Sequence, residues 1–172
     1  MSNPLRFRPM ERDDWEPVEA IYRAGIATGH ATFEVEPPTD DAFFASKPAA
    51  LRWVAVDADD VICAWAAAGP VSSRPVYSGV AEHSIYVDPA VGGRGVGRAL
   101  LEHFIERSEE AGIWMLQSSI FPENLPSLAL HERHGFRRVG VRERIALMGF
   151  GPNAGVWRDT VLLERRSELV GP

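Results

Sequence analysis

The sequence predicts a mixed α/β fold with a central, mostly antiparallel sheet. Short apolar runs with strand periodicity alternate with amphipathic helical patterns in the order strand, helix, helix, three strands, helix, strand, helix and two strands. A glycine-rich segment joins one of these strands to the longest helical pattern. The 172 residues are 45% hydrophobic and 24% charged, which is typical of a soluble globular domain. We therefore expect a single domain over residues 1–172 with about seven strands and four helices.

Seven runs have the composition and periodicity of strands. In chain order they cover residues 5–9, 52–57, 61–68, 80–87, 114–120, 136–145 and 156–163. The second and third runs are joined by a turn at residues 57–60, which predicts a hairpin. Asp88-Pro89 ends the fourth run, and a loop rich in Gly, Pro and Asn at residues 149–155 separates the last two.

Four segments have helical periodicity. The first follows Asp13 and Asp14 and ends near residues 25–29, and the second is a short helix through Phe44 with Thr39 as its candidate N-cap. The third is a long amphipathic pattern over residues 95–110. The fourth covers residues 124–134 and is closed by Gly135.

Charge and composition exclude several classes of protein. The formal net charge of −6 argues against a nucleic-acid-binding role. The longest apolar runs, such as residues 64–68, are too short to span a membrane, and residues 1–10 lack the apolar stretch of a signal peptide. The single cysteine, Cys63, excludes an internal disulfide framework and predicts a cytoplasmic location. Residues 1–91 carry a net charge of −7 and residues 92–172 carry +1, so an anion site should lie in the second half.

The most informative segment runs from Tyr86 through a glycine-rich loop to Arg98. Glycines allow a left-handed backbone, so successive N–H groups can point toward a bound anion at the start of the following helix. The spacing fits neither a dinucleotide-binding fingerprint nor a nucleotide P-loop, because Arg98-Ala99 follow Gly97. A pyrophosphate loop for coenzyme A fits better. A glycine-rich turn that only starts a helix remains the alternative.

A second motif, Asn124-Leu-Pro-Ser127 followed by His131 and Gly135-Phe136, accompanies the loop. Together the two motifs resemble those of the GNAT superfamily of acetyl-CoA-dependent N-acetyltransferases, over residues 5–165. The resemblance implies the GNAT fold, with the sheet splayed at the acetyl-CoA site. The loop departs from the family pattern at Gly92, where the family has Gln or Arg.

Three stretches resemble the phosphinothricin acetyltransferase group of this superfamily. They are residues 21–34, residues 80–87 and residues 155–159. The resemblance implies acetylation of the α-amino group of a small L-amino-acid analogue such as phosphinothricin, methionine sulfone, methionine sulfoximine or arsinothricin. It also implies a homodimer, with the segment around Trp157 as the interface. The alternatives are acetylation of a protein N-terminus or another amine, and a non-catalytic domain that binds coenzyme A.

The resemblance assigns the acetyl-CoA site to two groups of residues. The phosphates of the donor would bind the glycine-rich loop and the start of the helix that follows it. The pantetheine arm would lie along the edge of the strand over residues 80–87, with a bulge or splay near Tyr86. The Val87 N–H would face the thioester oxygen. Asn124 and Ser127 would reach the pantetheine amides or simply cap their helix. The complete expected set is Ile85, Tyr86, Val87, Gly93, Arg94, Gly95, Val96, Gly97, Arg98, Asn124, Ser127 and Arg133.

Two residues are candidates for moving the proton that the substrate ammonium must lose. Glu82 lies on a strand, where Glu is disfavoured, and His131 stands where most GNAT enzymes have Tyr. Glu82 is the first candidate for the base, with His131 assisting, and the reverse assignment stays open. A catalytic role for Cys63 is disfavoured because no base adjoins it.

The expected substrate-binding residues follow from the same resemblance. Arg74 would bind the anionic end of the substrate through its guanidinium, although Ser72 replaces a second basic residue of the group. Phe33, Tyr77, Glu82 and His83 complete the expected acceptor site. His131 and His134 have no visible third ligand, so no metal is expected.

Overall fold

The computed structural model describes residues 5–171. Residues 1–4 and residue 172 lie outside the described residues. Residues 1–4 belong to the segment, residues 1–10, in which no signal peptide is expected. The strands are β1 (Arg6–Pro9), β2 (Arg52–Val56), β3 (Ile62–Pro70), β4 (Val80–Val87), β5 (Met115–Ile120), β6 (Arg137–Leu147) and β7 (Trp157–Arg166). The helices are α1 (Trp15–Ala27), α2 (Asp40–Ser46), α3 (Val96–Glu110) and α4 (Leu125–Arg133). The predicted element order is confirmed.

One seven-stranded sheet organises the described residues, in the order β1-β2-β3-β4-β5-β7-β6. Neighbouring strands run antiparallel, with β4 and β5 as the single parallel pair. The connection between that pair is α3, as a parallel crossover requires. The predicted mixed α/β class and mostly antiparallel sheet are therefore confirmed.

The sheet opens between β4 and β5. Their pairing covers only Val80 to Glu82 against Met115 to Gln117, after which β4 continues to Val87 without β5 beside it. The pairing of β4 with β3 runs without a register shift from Ala81 to Val87. Of the two predicted features near Tyr86, a bulge or a splay, the described strands contain the splay, which arises from the divergence of β5 after Glu82.

Two apolar clusters cover the two faces of the sheet. On one face α3 contributes Leu100, Leu101 and Phe104, all fully buried. On the other face α1 and α2 pack on Trp65 and Tyr86. The central strand β3 is buried on both faces, which explains its continuous apolar run. Each large buried side chain contributes roughly 1.5–3 kcal/mol, so both clusters hold the helices firmly on the sheet.

Local sequence signals set several element boundaries. The Thr39 hydroxyl accepts a hydrogen bond from the Ala42 N–H at 3.3 Å, so the predicted cap of α2 is confirmed. Gly135 has φ +83° and ends α4 as predicted. Gly95 has φ +81° and is the N-cap of α3. The helix therefore begins at Val96, one residue later than the sequence predicts. Among the described residues, no helix is long and apolar enough to cross a membrane.

Candidate active site

A cavity of about 490 Å³, the main cavity, lies where β4 and β5 separate. Its floor is the free part of β4, and its walls come from β5, the start of α4 and the segment after α1. The opposite wall is formed by Arg142, Ile145 and Ala146 of β6 with Thr160 of β7. The cavity therefore brings together residues from six separate parts of the chain.

The edge of β4 that faces this cavity carries unpaired backbone groups. The Asp88 N–H donates to the Cys63 carbonyl at 2.8 Å, which fixes the even-numbered residues of β4 as those bonded to β3. The odd-numbered residues therefore direct their N–H and C=O groups away from β3. At Ile85 and Val87, beyond the last residue paired with β5, these groups are free to bind an extended ligand arm as an added strand would.

The glycine loop forms an open anion cradle at the end of β4. Gly93 and Gly95 have φ of +75° and +81°, and a Cβ at either position would meet nothing within 4 Å. The N–H groups of Gly93, Gly95, Val96, Gly97 and Arg98 make no hydrogen bond to any described residue. Gly97 differs in role, because its Cβ would lie 3.2 Å from Val87 Cγ2, so glycine there lets α3 pack closely on β4.

Exposed arginines surround the cradle. Arg94, Arg98 and Arg133 have no carboxylate within 4.0 Å among the described residues, so their guanidinium groups are available for phosphate oxygens. Arg137 and Arg138 are instead paired with Glu164 and Glu132. Only some of the arginines in the second half of the chain are therefore available at the predicted anion site.

Glu82 occupies the point at which the strands diverge. Its side chain lines the main cavity, and one carboxylate oxygen accepts a hydrogen bond of 2.6 Å from Gln117 Nε2. Gln117 is the residue directly opposite Glu82 in the β4–β5 pairing. The carboxylate is thus held by one oxygen at the cavity wall, and its other oxygen makes no hydrogen bond among the described residues, which leaves it available to act as a general base.

His131 belongs to a buried pair with His83. The His131 Nδ1 lies 2.7 Å from the Ser127 carbonyl, which can only accept, so Nδ1 carries the proton. The two Nε2 atoms lie 2.9 Å apart, and His83 must then be the donor. Burial lowers the pKa of both imidazoles, and each is further lowered by a neighbouring histidine. His131 is therefore neutral, with both ring nitrogens already in hydrogen bonds.

His83, an expected substrate ligand, lines the main cavity but is only 2% exposed. Its ring packs against Phe104 and Phe136, on the α3 side of the sheet, opposite to Glu82 and Ser84. The alternation of side chains along β4 causes this separation. The hydrogen bond that its Nε2 makes is to His131 Nε2.

Asn124 performs the capping role that the sequence left open. Its Oδ1 accepts from the Ser127 N–H at 3.3 Å, and its Nδ2 donates to the His30 carbonyl at 3.2 Å. Both ends of the amide are therefore engaged within the protein. Ser127 is not the cap, and its hydroxyl lies 3.5 Å from His131 Nδ1 at the cavity wall.

Aromatic residues form the apolar part of the wall. Phe33 packs edge-on against Phe121 at 4.8 Å between ring centroids, and both line the main cavity as expected for Phe33. Tyr86 stacks on Trp65 at 4.7 Å. Burial raises the pKa of the Tyr86 phenol, so it remains neutral.

Arg74 and Tyr77 lie outside the main cavity. Both are exposed in the loop between β3 and β4, where the Arg74 guanidinium covers the Tyr77 ring at 5.5 Å. The loop carries Pro75 in a short 3₁₀ turn that keeps these residues at the surface. Their predicted contact with the substrate has no geometric support in the described chain.

The cavity contains a cation that the sequence analysis missed. Arg142 is the only Lys or Arg that lines the main cavity, and its nearest partner is the Ser119 hydroxyl at 3.4 Å. No local pattern marks Arg142, because it is one of many arginines in residues 133–144. Its position follows from the register of β6 against β7, which places it opposite Thr160.

Arg158 holds two walls of the cavity together. This buried guanidinium donates to the Gly29 carbonyl at 2.6 Å and to Glu123 at 3.1 Å, and it lies 3.7 Å above the Phe121 ring. It thus connects the segment after α1 to the segment before α4. Sequence reasoning missed this contact as well, since it joins residues 129 positions apart.

A smaller cavity of about 340 Å³, the lateral pocket, continues from the main cavity on the α1 and α2 side of the sheet. The two share Tyr22, Glu34 and Ser84. The rest of its lining comes from α2, its flanking residues and β3: Pro38, Ala42, Phe43, Ser46, Lys47 and Trp65.

Within residues 5–171, no group of three or more His, Cys, Asp or Glu is placed to hold a metal ion.

Comparison with known proteins identifies the family. Residues 11–136 match the acetyltransferase (GNAT) family. The chain belongs to this family. The GNAT fold and the enzyme class that the motifs predict, an acetyl-CoA-dependent N-acetyltransferase, are therefore confirmed.

The relatives include enzymes named for amino-acid analogues. A phosphinothricin N-acetyltransferase of Alcaligenes faecalis is 34% identical over 164 residues, covering 92% of this chain and 80% of that protein. An L-methionine sulfoximine/L-methionine sulfone acetyltransferase of Pseudomonas paraeruginosa is 31% identical over 111 residues, 64% of this chain and 62% of that protein. These relatives confirm the resemblance of this GNAT chain to the phosphinothricin group.

A solved structure carries the acetyl donor. The crystal structure of a GNAT superfamily phosphinothricin acetyltransferase from Sinorhizobium meliloti, in complex with acetyl-CoA, has a TM-score of 0.80 and 27% identity to this chain. The similarity covers 100% of this chain and 97% of that one.

Proposed function

We propose that the enzyme transfers an acetyl group from acetyl-CoA to the α-amino group of a small L-amino-acid analogue. The observation that carries this proposal is the position of the Glu82 carboxylate, which enters the main cavity beside the free edge of β4. The volume of about 490 Å³ suits a small acceptor together with the end of the donor. The names of the relatives support the same substrate class.

The donor would bind along the splay. The free N–H groups of Gly93, Gly95, Val96, Gly97 and Arg98, together with the guanidinium groups of Arg94, Arg98 and Arg133, would hold its phosphates. The pantetheine arm would pair with Ile85 and Val87 on the edge of β4. The Val87 N–H would then donate to the thioester oxygen, where negative charge develops during attack.

The acceptor would bind between two opposite charges. Its ammonium would face Glu82, and its α-carboxylate would face Arg142, the only cation of the main cavity. A guanidinium binds a carboxylate through two parallel hydrogen bonds, which fixes orientation as well as position. Phe33 and Phe121 would exclude water from the reacting groups.

Glu82 would act as the base. It takes one proton from the ammonium, and the resulting amine attacks the thioester carbon as the carbon–sulfur bond breaks. The second proton leaves the nitrogen and neutralises the departing thiolate. His131 is less suited to accept the first proton, because His83 already donates to its Nε2. This geometry favours Glu82 where the sequence alone left the choice open.

The first experiment measures thiol release from acetyl-CoA with L-phosphinothricin, methionine sulfone, methionine sulfoximine and arsinothricin. We expect turnover with at least one of them, and a lack of turnover with every α-amino acid would refute the substrate class. Glu82→Gln should lower kcat/KM by about 10²-fold or more near neutral pH. The deficit should shrink at high pH, where the substrate amine is already neutral.

The matched control for the base is Glu102→Gln. Glu102 is an exposed carboxylate on α3, outside both cavities. It should keep the wild-type pH profile. Full kcat/KM across the pH range in Glu82→Gln would remove Glu82 as the base.

A further inference from the structure

The lateral pocket contains the only lysine of the chain. Seventeen of the 18 basic residues are Arg, and Lys47 is the exception. Its carbonyl, at the C-cap of α2, accepts a hydrogen bond of 3.0 Å from Arg52 Nη1, which anchors the backbone beside the pocket. The side chain lines the lateral pocket.

The sheet is shaped to receive the Lys47 side chain. Gly69 lies beneath it, and a Cβ there would stand 3.2 Å from Lys47 Nζ and 2.9 Å from the Ser46 carbonyl. Gly69 is also the residue directly opposite Glu82 in the β3–β4 pairing. The ammonium group therefore lies on the same face of the sheet as the Glu82 side chain, close to the reacting end of the main cavity.

The Lys47 ammonium has no partner in the protein. Among the described residues it has no carboxylate within 4.0 Å and donates no hydrogen bond, whereas most of the surface arginines outside the anion cradle form ion pairs. Burial lowers its pKa, and the charge of Glu82 partly opposes this effect. The half-buried ammonium is therefore available to donate to an anionic ligand in the lateral pocket.

A second unpaired donor lines the same pocket. Trp65 is 1% exposed, and its indole Nε1 has no hydrogen-bond partner. The ring is held by stacking on Tyr86 and by edge contacts with Tyr22 and Phe43. Buried indole N–H groups almost always find an acceptor, so this one also indicates a missing ligand oxygen.

We propose that the lateral pocket binds the oxoanion at the end of the substrate side chain, with Lys47 Nζ and Trp65 Nε1 as donors. This inference rests on the proposed function and names the chemical class of the acceptor: an amino acid whose side chain ends in a negatively charged tetrahedral group. The α-carboxylate is assigned to Arg142, which leaves Lys47 for the second anionic end. Glu34, which lines both cavities, and Glu82 lie on the path between the two cations, where the ammonium of such a substrate belongs.

The kinetic test compares two acceptors that differ in charge at the side-chain end. Phosphinothricin ends in an anionic phosphinate, and methionine sulfone ends in a neutral sulfone. Lys47→Met keeps the length of the side chain and removes the charge. We expect its KM for phosphinothricin to rise at least tenfold, its KM for methionine sulfone to change less than threefold, and kcat to stay within threefold for both.

The control removes a positive charge elsewhere. Arg6→Met, at the far edge of the sheet on β1, should change neither KM. Equal increases for both acceptors in Lys47→Met, or no increase, would overturn the proposal. Absence of turnover by the wild type with every amino acid would instead be a failure of the proposed function.

Because Lys47 is the only lysine, a direct measurement needs no turnover. Wild-type protein grown with lysine labelled with carbon-13 at Cε gives one side-chain NMR signal, to be followed with coenzyme A present. L-phosphinothricin should shift this signal and raise its titration midpoint by at least half a pH unit, and methionine sulfone should not. If phosphinothricin leaves the signal unchanged, Lys47 does not contact this substrate and the proposed site is wrong. If inorganic phosphate at the same concentration has an equal effect, the pocket binds any small anion rather than the end of the substrate side chain, and the proposal is also overturned.

Discussion

At the level of single residues, the buried pair His83–His131 decides which group is free to move protons. The two rings lie 48 positions apart in sequence and share one hydrogen bond of 2.9 Å. The Ser127 carbonyl fixes the proton on His131 Nδ1, so His83 donates from Nε2 and its own Nδ1 has no partner among the described residues. The pair is a neutral structural unit next to the reaction site, and Glu82 remains the accessible base.

This pair predicts a specific loss of stability in acid. Burial places both folded-state pKa values below the value of about 6.5 for an unfolded histidine. Below about pH 6.5 the unfolded chain therefore binds protons that the folded chain does not. The free energy of unfolding should fall by up to about 1.4 kcal/mol per pH unit for each histidine, until the folded pKa is reached.

Urea unfolding at pH 7.5, 6.5 and 5.5 measures this slope. His83→Phe should reduce the slope by up to about 1.4 kcal/mol per pH unit, because one of the two buried imidazoles is gone. His134→Gln removes the neighbouring histidine that further lowers the pKa of His131, so it should flatten the slope less than His83→Phe does. A slope unchanged by His83→Phe would show that the pair does not remain neutral in the folded state.

Sequence reasoning found those residues whose role follows from a local motif. Glu82, the glycines of the loop and Asn124 were identified in this way, and the structure brings Glu82 and Asn124 to the same cavity. Lys47, Arg142 and Arg158 were missed, because their positions depend on strand order and register rather than on neighbouring residues. Arg74 illustrates the opposite case: its expected place came from resemblance, and its loop lies at the surface outside the main cavity, so its contact with the substrate stays a prediction.

At the level of elements, the junction of β4, the glycine loop and α3 was the most predictable part of the fold. The limits of β4 agree with the sequence prediction, because Asp88-Pro89 is a strong stop signal. The course of β6 was less predictable. It extends two residues beyond the predicted end and includes an irregularity where Arg144 has φ +48° and its N–H bonds Asp159, a contact that no local pattern encodes.

The same junction yields a test with an internal control. Gly95→Asp places a carboxylate at the anion cradle, and Gly112→Asp places one at the other end of α3, where φ is +86°. Both changes meet open space and a similar backbone penalty, but the dipole of α3 favours a carboxylate at its N-terminus and disfavours one at its C-terminus, so the melting temperature of Gly95→Asp should be no lower than that of Gly112→Asp. Only Gly95→Asp should raise the KM for acetyl-CoA, by at least tenfold.

Thermal denaturation provides the second readout for this pair of variants. Coenzyme A should raise the Tm of the wild type and of Gly112→Asp, because a ligand of the folded state stabilises it. It should leave the Tm of Gly95→Asp nearly unchanged. An unchanged KM for acetyl-CoA in Gly95→Asp would show that the phosphates bind elsewhere.

At the level of the whole molecule, the charge asymmetry of the sequence has a partial structural counterpart. Arg94, Arg98 and Arg133 are exposed and unpaired near the ends of β4 and α4, whereas Arg137 and Arg138 are neutralised by ion pairs. Part of the free positive charge therefore lies at the proposed phosphate end of the site, and Arg142 and Lys47 carry further free charge into the main cavity and the lateral pocket. The sequence predicts that the positive charge lies in the second half of the chain. It does not predict which arginines form ion pairs, because a pair such as Arg137–Glu164 forms only where β6 lies beside β7.

The outer strands of the sheet predict a homodimer. Beyond β6 the sheet has no further strand among the described residues, and apolar side chains on β6 and at the start of β7 are exposed: Val139, Val141, Ile145, Leu147, Val156 and Trp157. A contiguous apolar surface next to an unpaired strand edge is typical of an interface. A second copy is the expected occupant, in agreement with the role that the sequence resemblance gives to Trp157.

Sedimentation at micromolar concentration should therefore give a particle of about twice 19.0 kDa. Trp157→Glu and Leu147→Glu, opposite each other in the β6–β7 pairing, should each shift the protein to monomer, because a buried unpaired carboxylate is costly at an interface. Leu169→Glu, an exposed leucine outside these strands, should leave the dimer intact. Since Ile145 and Ala146 also line the main cavity, the monomeric variants should bind the amino-acid substrate more weakly. A wild type that remains monomeric across the concentration range would refute this role for β6.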